Sequence, residues 1–453
     1  MSDPIERLAR HVVDTRWQDL PEGVVAAAKT FILDALGVCV SGTAVPLADR
    51  VRAVVRRWGS GEEATVIGGT TRLPAPAAAM VNAFQTHNQE FDCIHEGAVV
   101  HPLTTILPAV LAVAERRGGV SGRDLILAVA LGVDVATTIG MASRSRLSFF
   151  RPATAGIFGV AAAVAKLEML DGEALLDAFG LAYSQAAGTM QAHIEGKPTL
   201  ALSMGFAARG GILAVDLAAA GFPGPHQVLE GPYGYFPMME GDWRVEPAFA
   251  ELGRHWRITE LSHKPFPTGR ATHGGIDGIQ RLRRRHGFEA GAVERATLLA
   301  PPVIHQLVGR PYRSDMQANY ARLCFPYVGA VALARGTVGV GDFSPGRLSD
   351  PAIADLASRI EVVTDENPDR NAMTPQRLRL QLKSGALIEE LVEHTLGSPQ
   401  NPLGRERHLQ KFRGCWASGA TPRDAAAGER LIALVDRLDE LTDVAELPRS
   451  LAA

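Results

Sequence analysis

The sequence predicts a mainly α-helical fold, a large all-helical domain with a smaller α+β lid domain inserted into it. Three observations carry this prediction. Apolar residues recur at helical spacing as far as about residue 260. Aromatic residues make up only 6% of the chain, so Ala, Val, Leu and Ile must fill the core, with Ala and Gly letting helices approach closely. Strand-like alternation appears only later, most clearly at Arg377–Leu382.

Taken in order, Ile5, Leu8, Val12 and Val13 mark the apolar face of a first helix. A second starts near Pro21, which suits a first-turn position, and stops near Gly42. Further helices are expected over Leu47–Arg57, Pro76–Thr86, Leu103–Arg116, Gly122–Met141, Ile157–Leu167, Ala174–Gln185 and Gly205–Ala219. Strands are expected at Ala296–Ile304 and Arg359–Thr364. A hairpin is expected at Arg377–Leu382 and Ala386–Val392, turning at Lys383-Ser384-Gly385. Helices at Gly275–His286 and Arg322–Arg335 lie among them, and Arg405–Lys411 and Ala425–Leu441 are helical again. The all-helical domain is therefore expected to hold residues 1–264 and 398–453, and the lid residues 265–397.

Composition bounds the function. The chain has 453 residues, 46% apolar and 21% charged, as a folded chain does. Forty-six Lys and Arg against forty-nine Asp and Glu leave a net charge of −3, which argues against a nucleic-acid partner. Cys39, Cys93, Cys324 and Cys415 form no CxxC pair, so neither a zinc cluster nor a disulfide framework is expected. A reduced, cytoplasmic setting is the simple reading. The N-terminus lacks an apolar signal core, and charged residues interrupt the long apolar runs, so no membrane span is expected. No GxGxxG after a strand, no Walker A loop and no GxSxG elbow are present, against nucleotide-dependent chemistry.

Polar residues concentrate in four apolar settings. His87–Pro102 carries three of its histidines and three carboxylates within fifteen residues, a proton-transfer set at neutral pH. Asp92, His95 and His101 are the metal-ligand alternative, but the spacing fits no zinc motif; mutual capping at a subunit contact is the structural alternative. His263–Asp277 places Lys264 and Arg270 beside a helix start near His273, a carboxylate clamp or a solvated basic turn. Lys264 is one of only six lysines. Lys197 sits beside Gly196 and Pro198, facing a ligand or solvent. Tyr327 opens an apolar stretch, where a phenol is more often part of the core, and Arg151 lies between apolar runs, binding an anion or capping a helix.

These segments resemble the MmgE/PrpD family, whose members include 2-methylcitrate dehydratases, cis-aconitate decarboxylases and iminodisuccinate epimerases. The resemblance covers nearly the whole chain. It rests on Phe31–Gly42, Glu90–Pro102, Thr154–Ala163, Met204–Pro223, Lys264–Asp277, Phe325–Gly329 and Gly397–Phe412. It implies a homodimer with a site between helical domain and lid, without metal or organic cofactor, acting on a small di- or tricarboxylate. His101-Pro102 matches the family's His-Pro, Lys264 and His273 match its lid loop, and Tyr327 matches a tyrosine implicated in some members. Glu90-Phe91-Asp92-Cys93-Ile94-His95 stands where the family has Asp-Phe-Asp-Asp-Thr-His. The family's Lys and His are absent from Thr199–Gly205, with Lys197 as the candidate replacement, and Arg151 stands at a family His.

The implied enzyme is a lyase or isomerase that removes a proton α to a carboxylate: dehydratase-like, with decarboxylase-like and epimerase-like alternatives. His101 or His273 is the expected base. Lys264, Arg270 and Lys197 are expected to hold the anion, and Asp92, His95 or Tyr327 to act as acid. Glu90 and Arg151 complete the expected substrate contacts. A non-catalytic scaffold is the alternative of another class.

Overall fold

The computed structural model describes residues 3–452. The helical domain is built on α1 (Ile5–Asp14), α2 (Glu22–Gly42), α3 (Ala75–His87), α4 (Pro102–Arg117), α5 (Gly122–Ala142), α6 (Gly156–Leu167), α7 (Gly172–Tyr183) and α8 (Thr199–Ala219). Local chemistry sets their ends. Pro102 occupies the first turn of α4, where its missing N–H costs nothing. Ser121 and Asp124 form a reciprocal capping box at the start of α5. Small residues then set the packing. A Cβ on Gly132 of α5 would lie 2.7 Å from the Gly159 carbonyl oxygen of α6, and one on Gly159 would lie 2.6 Å from that of Gly132. The two backbones thus touch where a side chain would separate them.

The lid carries α9 (His273–His286), β1 (Val293–Ala300), α10 (Phe325–Arg335), β2 (Ile360–Thr364), β3 (Gln376–Leu382) and β4 (Leu387–Val392). Its sheet has the order β2-β1-β3-β4, with β1 and β2 parallel and the other pairs antiparallel. The hairpin turns at Gly385, in the left-handed region at φ 86°. Leu378 and Leu380 are buried under the lid helices, while Arg377 and Arg379 on the opposite face pair with Glu389. The chain then returns to the helical domain through α11 (Arg405–Ala417) and α12 (Ala425–Asp436), and Phe412 of α11 packs on Gly37 of α2.

Three differences from the sequence reading have physical causes. The helix expected from Gly205 begins at Thr199, because Pro198 sets its start two turns earlier. Ile304, expected in a strand, lies in the short helix Pro302–Val308 that follows β1. Glu22–Gly42, Gly122–Ala142 and Thr199–Ala219 are, by length and composition, long and apolar enough to cross a membrane, contrary to expectation. Within the fold they pack on other helices, and 94% of the most apolar window of Gly122–Ala142 is buried inside the protein.

Candidate active site

His87 is the last residue of α3, and His101 immediately precedes α4. The loop between them reverses tightly: Glu90 and Val99 both adopt left-handed backbone, at φ 54° and 52°. For a β-branched residue such as Val99 that is a strained conformation. A two-residue antiparallel bridge, Ile94 N–H to Ser262 O and Ser262 N–H to Ile94 O, zips this loop to the segment preceding the lid. Lys264 is thereby carried into the loop's interior, where its side chain is fully buried. Lys264 Nζ lies 2.9 Å from Glu90 Oε2 and 3.6 Å from Asp92 Oδ1.

Asp92 is the hub. Its Oδ2 accepts from His87 Nδ1 at 2.8 Å and from the Thr104 hydroxyl, and lies 3.0 Å from His101 Nδ1. The two imidazoles stand edge to face, with centroids 4.9 Å apart. Burial by itself would raise the Asp92 carboxyl, but His87, His101 and Lys264 outweigh it and hold the group well below the usual carboxylate range. Burial likewise opposes Glu90, and Lys264 followed by the histidines brings it down to about 2.

The histidines respond in opposite directions. Burial pulls His87 down, but Asp92 and Glu90 together lift it above an ordinary histidine. Burial also pulls His101 down, and the attraction of Asp92 is too small, against the ammonium of Lys264, to restore it. Two imidazoles beside one carboxylate are therefore pushed apart, His87 towards keeping its proton and His101 towards losing it, and both line the same cavity. Such divergence is how a site assigns its acid and its base.

That cavity lies between the domains and is narrow, about 50 Å³. The helical domain contributes His87, Glu90, His101, Arg151 and His193, and the lid contributes Arg270, Leu307, Leu323 and Met373. A second space, lined by His87, Glu90, Lys197 and Leu200, adjoins it. Among the described residues, two sets of donor atoms lie close enough to hold a metal ion: His87, Asp92 and His101, and Asp34, His263 and His408. In each a lysine already supplies a cation: Lys264 beside Asp92, and Lys411 at 2.7 Å from Asp34.

Residues 6–248 match the MmgE/PrpD N-terminal domain, and residues 266–437 match the MmgE/PrpD C-terminal domain. The chain belongs to the MmgE/PrpD family. Cis-aconitate decarboxylase of Aspergillus terreus (strain NIH 2624 / FGSC A1156) is 29% identical over 459 residues, covering 95% of this chain and 92% of that protein. Cis-aconitate decarboxylase of Mus musculus is 29% identical over 450 residues, covering 95% and 90%. That of Homo sapiens is 29% identical over 446 residues, covering 94% and 90%.

Against the expectations drawn from MmgE/PrpD resemblance, the structure brings together Glu90, Asp92, His101 and Lys264, sets Arg151 and Arg270 on the same cavity, and places the others elsewhere. His273 lines no part of the cavity. Its Nε2 bonds the Thr268 carbonyl at 3.2 Å, its Nδ1 faces Arg270 Nη1 at 3.5 Å, and burial with Arg270 and Lys264 keeps it neutral. Tyr327 donates to the Asp342 carbonyl at 2.5 Å inside the lid core, so it is a core phenol rather than an acid. His95 turns away from the cavity to Glu260, at 2.8 Å. Arg151 and Arg270 do line the cavity, but their charges are committed: Arg151 to Glu240 at 2.9 Å, Arg270 to Glu96 at 2.8 Å. Arg270 also donates to the His263 carbonyl of the helical domain and to the Thr395 and Leu396 carbonyls of the lid, so with the Glu96 pair it is a tie between domains rather than an anion clamp. Lys197 is exposed and lines only the adjoining space.

Sequence reasoning missed the pairing of His87 with His101, although both lay in the segment singled out. It also missed His193, Arg310 and Thr104. His87 carried one usable signal, its place at the end of an Ala-rich helix five residues before Asp92. His193 and Arg310 carried none, because they meet only through the lid.

Proposed function

We propose that the protein is a cofactor-independent lyase acting on a small tricarboxylate of the cis-aconitate type, with decarboxylation as its reaction. The observation that carries this is the split pair His87 and His101 on Asp92, facing one cavity in a chain similar throughout to cis-aconitate decarboxylases. In a carboxylate placed β,γ to a double bond, a proton added to the far vinyl carbon lets the double bond shift. The bond to the carboxylate then breaks and carbon dioxide leaves. One proton is consumed per turnover, and no electron donor or acceptor is required. His87 is the donor. His101, whose Nδ1 lies 3.0 Å from Asp92, relays a solvent proton that recharges His87 for the next turnover. Buried fixed charges act strongly on the charge that shifts from the departing carboxylate into the new double bond, because little water screens them. The narrowness of the cavity means that the lid must part from the helical domain for substrate to enter.

The test is turnover of cis-aconitate in D₂O followed by NMR and carbon dioxide release. The expected result is one carbon dioxide and one solvent deuteron in the product per turnover, unaffected by chelator, with His101→Gln and His87→Gln each losing roughly 10²–10⁴ in kcat. Water loss from 2-methylcitrate without decarboxylation would favour a hydro-lyase, and no proton exchange with any di- or tricarboxylate would reject the proposal.

A further inference from the structure

Charge accounting around the cavity points to a carboxylate receptor. Glu90 and Asp92 are balanced by Lys264 and the raised imidazole of His87. Arg151 is balanced by Glu240, and Arg270 by Glu96. The walls described so far are therefore electrically neutral, and they offer a polyanion no net attraction.

Two arginines of the lid differ. Half-buried Arg310 and buried Arg322 have no carboxylate within ion-pair distance among the described residues, whereas the buried arginines Arg151, Arg257 and Arg270 each have one. Arg310 Nη2 donates to His193 Nδ1 at 3.0 Å, and His193 lines the cavity. Arg310 Nη1 is buried without a partner. Arg322 is 5% exposed, its Nε also has no partner, and its guanidinium rests on the Phe343 ring at 4.7 Å. Its backbone carbonyl holds the amide of Gly269, a cavity residue. Arg310 reaches the cavity through His193, and Arg322 adjoins Leu323, which lines it. His193 is neutral, because burial and then Arg310 bring it down to about 3, so it orients Arg310 without cancelling its charge.

We propose that Arg310 and Arg322 receive the non-reacting carboxylates of a polycarboxylate ligand, with His193 as the positioning residue that aims Arg310. An uncompensated buried cation is costly, and a guanidinium fork matches a carboxylate in charge and geometry. With Lys197, exposed on the adjoining space, three cations without carboxylate partners among the described residues match the three charges of a tricarboxylate. The lid thereby reads charge number, while His87 and His101 address the reacting carbon. The inference rests on the tricarboxylate reading above.

The test is calorimetric titration of the intact protein with tricarballylate, glutarate and butyrate, three unreactive anions with three, two and one carboxylates. The expected wild-type order of affinity is tricarballylate, then glutarate, then butyrate. Arg310→Gln and Arg322→Gln should each weaken tricarballylate at least 30-fold and butyrate less than threefold, and neither should lower the ligand-free melting temperature. Should Arg310→Gln fail to fold, Arg310→Met and Arg322→Gln provide the same comparison. Variants that bind tricarballylate within threefold of wild type would overturn the receptor and leave the proposed reaction standing. A wild-type protein that binds none of the three anions would overturn both.

Discussion

Replacing Asp92 by Asn tests the site at its hub. The change keeps the shape and removes one charge from a carboxylate that has His87 Nδ1 at 2.8 Å, His101 Nδ1 at 3.0 Å and Lys264 Nζ at 3.6 Å. At an effective dielectric of about 20, the gross attraction to a charged His87 is roughly 6 kcal/mol and to Lys264 roughly 5 kcal/mol. Desolvation offsets much of this, so the net loss on removing one partner of a buried set is about 3–5 kcal/mol. Two effects on activity are expected. His87 loses the larger of the attractions that lift it, so the alkaline limb of the kcat profile moves to lower pH. His101 loses the acceptor that fixes its tautomer, and in a comparable arrangement, the serine-protease triad, such a loss costs about 10⁴ in kcat. The assay is kcat between pH 5 and 9 together with the melting temperature. An Asp92→Asn enzyme with kcat within tenfold of wild type and an unmoved alkaline limb would refute the assignment of acid and base.

Arg270→Ala removes the ion pair to Glu96 and the His263 carbonyl contact, which join lid and helical domain, and two carbonyl contacts within the lid, so it should destabilise by about 3–5 kcal/mol in urea unfolding. Tyr327→Phe removes one hydrogen bond in the lid core; stability should fall by roughly 1 kcal/mol and kcat stay within a few-fold, whereas a hundredfold loss of kcat would restore the tyrosine to the chemistry. Gly159→Ala places a methyl 2.6 Å from the Gly132 carbonyl oxygen, and the forced separation of α5 and α6 should cost roughly 1–3 kcal/mol in the same measurement. Acid should weaken the fold before the carboxylates titrate. His193 and His263 at about 3 and His408 at about 4 stay neutral when folded and take up protons when unfolded, so their contribution is full above pH 6.5 and declines as pH falls towards those values. At pH 5 each has lost about 2 kcal/mol, read as a lower urea midpoint than at pH 7.

The fold was legible because its two textures are written at different periods. The α5 and α6 stretches alternate apolar and small residues at helical spacing, and Arg377–Leu382 alternates at period two, so each segment announces its element. The boundary errors arose where punctuation is ambiguous. Pro198 opens a helix that residue patterning alone placed from Gly205, and Pro301-Pro302 turns β1 into a helix where β-branched residues continue. Whether a long apolar helix spans a membrane or fills a core depends on what packs around it, which no single segment records.

The site was legible where chemistry and chain proximity coincide, and illegible where the fold supplies the partner. His87, Asp92 and His101 share one loop, so their density was visible. Lys264 joins them through the Ile94–Ser262 bridge, which links residues far apart in the chain. The expected cation clamp failed for a definite reason: a charge near a site is useful to an anion only if no carboxylate already holds it. Arg151 and Arg270 are saturated by Glu240 and Glu96, distant in sequence, so counting basic residues along the chain overstates the attraction they provide. The same logic accounts for the departures at the family's Lys and His positions. Leu200, within that stretch, is part of the apolar wall between the two spaces. A polyanion beside that apolar wall needs positive charge from elsewhere, and the proposal above assigns this to Arg310 and Arg322 of the lid, which among the described residues have no carboxylate partner. Substitution at the family position and uncompensated charge in the lid are, on this argument, two halves of one rearrangement. Restoring the lysine by Leu200→Lys should then partly rescue tricarballylate binding in Arg310→Gln, and no gain in that double variant would break the link.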